Sequence, residues 1–263
     1  MNLNDTLQRL LLASRQRSEQ LHRWLAKQPQ AILCAKHNAQ RALDERASAT
    51  ALARGENKPA YKPCPACEAE SAAERQALRL RRQGVPEELA RASLDNFEAT
   101  TDQQTKVVAM ARQFVKLKAG FFFLLGDVGT GKSHIAAGIL REAGAGLWIS
   151  NDRLMATLSA EYRTHPTTSI LEECERASLL VFDDLGISRG GQDEVPAIHR
   201  ILTHRFNERL PTVVTSNKTQ RDLPGYVGDR MWDRISESIY AICVLVGGSY
   251  RPRKRDQYLT AKA

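Results

Sequence analysis

The sequence predicts an α/β fold: a five-stranded parallel sheet with helices on both faces, preceded by a small, mainly helical region. Three observations carry this. Five short apolar runs recur from residue 121 onward. Segments with helical signals separate them, and strands alternating with helices imply a parallel sheet covered on both faces. Between the first run and the helix after it lies Gly126-Asp127-Val128-Gly129-Thr130-Gly131-Lys132-Ser133, a phosphate-binding loop in the strand-to-helix setting that confirms the motif.

Taken in order, residues 3–28 read as a helix. Leu3, Leu7, Leu10, Leu11, Leu21, Trp24 and Leu25 recur at helical spacing, forming a stripe that either packs on its own domain or is offered to a partner. Residues 47–62 contain Ala, Gly and Pro without periodicity and read as a loop or linker. After Cys64-Pro65-Ala66-Cys67, a charged helix runs from Glu68 to Gln83 and is stopped by Gly84-Val85-Pro86. The domain boundary falls here, giving domains 1–85 and 86–263. The strands are Phe121–Leu125, Leu147–Ser150, Ser178–Phe182, Thr212–Thr215 and Ala241–Val246, with a helix from His134 to Arg141 behind the loop.

Bulk properties set limits on function. The net charge of +8 favours an anionic partner such as nucleic acid, although solvated basic faces are common. No apolar run approaches the roughly 20 residues that cross a bilayer, so no membrane role is expected. The first residues are polar and do not read as a signal peptide. Five unevenly placed cysteines suit a reduced, cytoplasmic protein with some thiols on a metal.

The loop's chemistry is specific. Its glycines let several backbone N–H groups point inward, and together with the helix N-terminus they form an anion cradle. Lys132 can reach the β- and γ-phosphates of ATP, and Ser133 can offer a hydroxyl ligand to Mg²⁺. The third strand ends in Asp183-Asp184, at the carboxyl edge where such sheets bind ligands. Asp183 suits Mg²⁺, and Asp184 suits orienting or deprotonating an attacking water. The fourth strand ends in Thr215-Ser216-Asn217, whose amide could position the same water. In the amino-terminal region, Cys34-Ala35-Lys36-His37 and Cys64-Pro65-Ala66-Cys67 could together form a Cys₃His zinc site, the alternative being free thiols and a surface histidine. Cys174 and Cys243 read as ordinary core or helix cysteines.

With these residues on the page, the chain resembles the DnaC/DnaI-type replicative helicase loaders, AAA+ ATPases of bacteria and their phages. The likeness rests on Gly-Asp-Val-Gly-Thr-Gly-Lys-Ser-His, Leu-Leu-Val-Phe-Asp-Asp-Leu-Gly, Thr-Ser-Asn and Gly228-Asp229-Arg230-Met231-Trp232-Asp233-Arg234, and spans about Gly84 to Arg251. It implies an AAA+ P-loop domain and several roles. Arg234, or Arg230 one turn earlier, resembles an arginine finger that reaches a neighbouring subunit's ATP; surface salt bridges to Asp229 and Asp233 are the bland alternative. Arg251 resembles a sensor-two arginine. Helices over Asn151–Arg163 and Ile170–Arg176 resemble the family's inserted element near DNA. Within it, Tyr162-Arg163 matches an aromatic-basic pair, with a half-buried tyrosine as the alternative, and Arg189 is a second candidate DNA contact. The implied partners are a hexameric DnaB-type helicase, single-stranded DNA and further copies of the chain. Some loaders carry a zinc-bound amino-terminal domain that contacts the helicase. One departure matters: the second acid is commonly Glu and here is Asp184, which points to a slow or partner-stimulated ATPase. An IstB-like transposition helper and a helicase-capturing inhibitor are the other readings.

Overall fold

The computed structural model describes residues 3–56, 58–164, 168–186, 194–248 and 250, with backbone alone for 3–13. The chain divides into two compact units, Met1–Arg75 and Gln76–Ala263. This division lies inside one helix, whereas the boundary at residue 85 lies just past that helix.

The first unit holds α1 (Leu3–Leu25), an antiparallel hairpin of β1 (Ala31–Leu33) and β2 (Gln40–Ala42), α2 (Glu45–Ala53) and the start of α3 (Pro65–Arg82). Helix α2 corrects the expected loop over residues 47–62. Asp44 caps it, its carboxylate accepting the Ala47 N–H at 2.9 Å. Ala47, Ala49, Ala51 and Ala53 then supply strong helix formers. Buried Ser48 anchors the helix, its hydroxyl donating to the Ala60 carbonyl at 3.2 Å and accepting the Ala60 N–H at 2.8 Å. The hairpin has no signature in the sequence, because three-residue strands are too short to show a period of two.

In the second unit, α4 (Asp102–Leu117) precedes β3 (Phe121–Gly126) and α5 (Lys132–Ala143). Then come β4 (Leu147–Ser150), α6 (Asn151–Thr164), α7 (Ile170–Arg176), β5 (Leu180–Asp183) and α8 (Glu194–Asn207). The order continues with β6 (Thr212–Ser216), α9 (Leu223–Val227), α10 (Asp229–Ser236) and β7 (Ile239–Leu245). The strands lie in the order β4-β5-β6-β3-β7, every neighbouring pair parallel. The apolar run of β3 serves both faces. Phe122 and Leu124 join the core with α4 and α5; Phe121, Phe123 and Leu125 join the one with α6, α7, α8 and α10. This alternation is the period of a strand buried on both sides.

Arg205 on α8 is fully buried. It donates to the carbonyls of Cys174 (2.9 Å), Glu175 (3.2 Å), Ala177 (2.8 Å) and Pro211 (2.7 Å), and to the Thr212 hydroxyl (2.8 Å). Three of those carbonyls close the C-terminal end of α7, which has no intrahelical donors for them. Burial, with no carboxylate partner among the described residues, pulls the guanidinium down to about 10. Arg205→Met leaves these acceptors buried and unpaired, so it will lower stability by about 3 kcal/mol. Arg205→Lys recovers little, because an ammonium cannot reproduce the fork. Chemical denaturation measures this; a loss below about 1 kcal/mol means that water takes over the cap.

Candidate functional site

Parallel strands bring their carboxyl ends to one edge, and the order of the sheet decides which ends are neighbours. Strand β6 lies between β3, which feeds the phosphate loop, and β5, which ends in the acids. The loop runs from Gly126 at the end of β3 into Lys132, the first residue of α5. Gly131 has φ +96°, and a Cβ there would lie 2.5 Å from the Phe97 ring, so only glycine lets that ring approach. Phe97 also meets His134 edge-on, with ring centroids 5.4 Å apart. His134 Nε2 lies 2.9 Å from Asn96 Oδ1 and 3.1 Å from the Ser93 carbonyl. Residues 93–97 thus buttress the start of α5. The Lys132 ammonium donates to the carbonyls of Gly126 and Asp127, each at 2.8 Å, and Thr130 Oγ1 donates to Asp127 O at 2.9 Å. The Tyr250 N–H donates to Gly129 O at 2.9 Å.

Asp183 is the centre of the site. Its Oδ1 accepts the Ser133 hydroxyl at 3.0 Å and the Thr215 hydroxyl at 2.6 Å. Burial pushes its carboxyl up to about 6, against the stabilising Thr215 and Ser133 hydrogen bonds and the Lys132 charge, and Asp184 adds to the rise. A buried carboxylate whose ionised form is short of compensation, beside the loop serine, is the donor set a divalent cation fits. Asp184 follows in the left-handed conformation, φ +58°, with its N–H donating to Thr215 Oγ1 at 2.9 Å. Asn217 lies one residue beyond β6 and is exposed.

The other sequence candidates lie apart. Arg230 and Arg234 are on the exposed face of α10, while Met231 and Ile235 are buried beneath. Arg234 donates to Asn207 Oδ1 at 3.1 Å and lies 5.3 Å over the Phe206 ring. Neither arginine pairs with Asp229 or Asp233 among the described residues, so the surface salt bridges are not formed. Tyr162 near the end of α6 is 65% exposed rather than half-buried, and Arg163 beside it is exposed. Arg189 and Arg251 lie outside the described residues. Cys174 and Cys243 are buried.

In the first unit, Cys34, His37, Cys64 and Cys67 converge, their ligand atoms all within 4.8 Å of one another. Cys34 Sγ lies 3.6 Å from Cys67 Sγ. His37 Nδ1 lies 3.3, 3.5 and 3.9 Å from the sulfurs of Cys67, Cys64 and Cys34. A tetrahedron with Zn–S near 2.3 Å and Zn–N near 2.0 Å has edges of about 3.5–3.8 Å. The far nitrogen of His37 faces Glu70 Oε1 at 3.2 Å, as a ligating imidazole usually faces a carboxylate. The donor set fits zinc.

The Thr215 hydroxyl was not found by sequence reasoning. A threonine before Ser-Asn is unremarkable until the β5–β6 register, Phe182 beside Val214, places it level with Asp183.

A phosphate loop at the end of β3, an acidic strand two places away and the polar end of the central strand between them define a P-loop ATPase of the AAA+ class. The chain belongs to the IstB-like ATP binding protein family, whose model matches residues 67–258. It is similar to the replicative helicase loader DnaC of Escherichia coli (strain K12), 26% identical over 197 residues that cover 72% of this chain and 80% of the relative. Among solved structures, the DnaC helicase loader aligns with TM-score 0.56 and 23% identity, over 61% of this chain and all of that one, which shows the shared fold. DnaI aligns with TM-score 0.52 and 25% identity, over 64% of this chain and 98% of that one.

Proposed function

We propose that this chain is an ATP-dependent loader that binds a hexameric replicative helicase and delivers it onto single-stranded DNA in the bacterial cytoplasm. The observation that carries this reading is the match to a replicative helicase loader along 80% of that protein's length. In it, residues 1–85 grip the helicase and 86–263 form the ATPase domain. Gly126 to Ser133 hold the phosphates. Ser133 and Asp183 hold Mg²⁺, which supplies charge neutralisation at the phosphates. Asp184 and Asn217 orient the attacking water. Arg251 senses the nucleotide. Tyr162 and Arg163, with Arg189, contact single-stranded DNA by stacking and phosphate pairing; the exposure of Tyr162 supports this. With the shorter Asp184 as second acid, turnover is slow until helicase or DNA stimulates it.

A loading assay tests the whole reading. Helicase transfer onto protein-coated single-stranded DNA is expected with the wild type. It should be lost in Lys132→Ala, whose ATP affinity falls by about 10–100-fold with the charge-assisted phosphate contacts. Loading by Lys132→Ala equal to the wild type defeats the ATP-dependent step. The IstB-like family match favours a second reading, a transposition helper. Stable co-purification with a transposase and never with a helicase would establish that instead. A chain that captures helicase without ever transferring it is an inhibitor.

Zinc at Cys34, His37, Cys64 and Cys67 is part of the proposal. Protein purified without chelator should contain one zinc per chain, and Cys67→Ser should lose it. Stripping the metal should unfold the residues around it, because structural zinc supplies folding free energy. Metal analysis finding no zinc rejects the site.

A further inference from the structure

Among the described residues near the acidic pair, one side chain touches both acids, and it is not itself an acid. Thr215 is fully buried. Its single O–H goes to Asp183 Oδ1 at 2.6 Å, and its oxygen takes the Asp184 N–H at 2.9 Å. A hydroxyl has one proton and two lone pairs, so both bonds coexist. The regular ladder between β5 and β6 ends at Phe182 and Val214. Beyond that point the strands are joined by Thr215 and its neighbours. The Leu185 N–H donates to Thr215 O at 2.9 Å, and the Ser216 hydroxyl donates to Leu185 O at 2.5 Å. Ser216 Oγ also accepts the Lys218 N–H at 3.0 Å.

This arrangement answers a backbone problem. Asp184 has φ +58°, a conformation an L-residue adopts at a cost unless something holds it there. The Thr215 hydroxyl holds its N–H, so the side chain of Asp184 leaves the strand in a set direction. The same hydroxyl fixes the Asp183 carboxylate, which also receives Ser133 from the phosphate loop.

We propose that Thr215 is a positioning residue that sets Asp183 and Asp184 in one fixed relation to each other and, through Ser216, to Asn217. Fully buried and bonded to both acidic residues, it acts through the acids. The proposal rests on the ATPase reading of the site, and one arm of its test does not require turnover.

Thr215→Val keeps the shape and removes the hydroxyl; Thr215→Ser keeps the hydroxyl. For each, binding of a fluorescent ATP analogue is titrated against Mg²⁺ and in its absence, and hydrolysis is measured alongside. Thr215→Val should bind nucleotide without Mg²⁺ as the wild type does, because the loop is untouched. It should need about 10-fold more Mg²⁺ for half-saturation and turn over about 10–100-fold more slowly. Thr215→Ser should stay close to the wild type in all three. If Thr215→Val does not fold, Thr215→Cys, a weak donor of similar size to serine, should show the Mg²⁺ and turnover defects. A hydroxyl-free variant with wild-type Mg²⁺ dependence overturns the proposal. So does one that loses Mg²⁺-free binding together with everything else, since that marks a merely structural threonine. If wild-type turnover proves no greater than that of Lys132→Ala, the ATPase reading fails, and the Mg²⁺ titration still decides Thr215.

Discussion

Replacing Arg234 with alanine is expected to leave ATP binding near that of the wild type and to slow hydrolysis in the assembled state by about 10³-fold. An arginine supplied across an interface stabilises charge on the transferred phosphoryl group, and such fingers are worth roughly 10³–10⁵ in turnover. The surroundings of Arg234 suit that role. It is exposed on α10, held by the Asn207 amide and the face of Phe206, with no carboxylate pairing with it among the described residues. A guanidinium held by a neutral amide and a ring keeps its full charge for a partner. Arg230→Ala should have the smaller effect, since nothing comparable orients Arg230 among the described residues. The decisive measurement mixes two inactive proteins. Arg234→Ala subunits carry an intact phosphate loop, and Lys132→Ala subunits carry an intact arginine. Recovered hydrolysis in the mixture establishes action between subunits. No recovery, or full activity of Arg234→Ala at high protein concentration, refutes it.

Asp183→Asn is expected to move stability and activity in opposite directions. The folded protein holds the Asp183 proton up to about pH 6, against an ordinary carboxyl value near 3.8, chiefly because the carboxylate is buried. A raised carboxyl means that the folded state binds the proton more tightly than the unfolded one. Its ionisation therefore costs stability as pH rises from about 4 to 6, and the full cost is present above that window. Asparagine removes the cost. The variant should be more stable than the wild type at pH 7, by on the order of 2–3 kcal/mol, and indistinguishable from it near pH 4. Hydrolysis should nevertheless fall by about 10³-fold, because the amide carries no charge for Mg²⁺. The wild type should likewise lose Mg²⁺-dependent nucleotide binding as pH falls below about 6. Thermal unfolding at both pH values, with Mg²⁺ absent, separates the two effects. A variant less stable than the wild type at pH 7 would show that the hydrogen bonds to Ser133 and Thr215 outweigh burial.

The two experiments probe residues of different legibility. Asp183 could be picked out because an acidic pair after an apolar run is a local pattern. Arg234 could be picked out only by resemblance, and nothing in the chain announced Asn207 and Phe206 as its neighbours. Arg205 gave no signal at all. It reads as one more charge on a helix, and it caps another helix from inside the core.

The division follows the range of the forces. The phosphate loop, the five strands, the helix behind the loop and the Cys34/His37 and Cys64/Cys67 pairs at zinc-ligand spacing were all determined by sequence. Each depends on residues within a few positions of one another: glycine torsions, apolar runs and turn chemistry. Tertiary structure alone decided that β6 lies between β3 and β5, that Thr215 spans both acids and that Cys34 and His37 meet Cys64 and Cys67. Those juxtapositions join residues about 30 apart or more, and register and packing, which no local pattern encodes, bring them within hydrogen-bond reach.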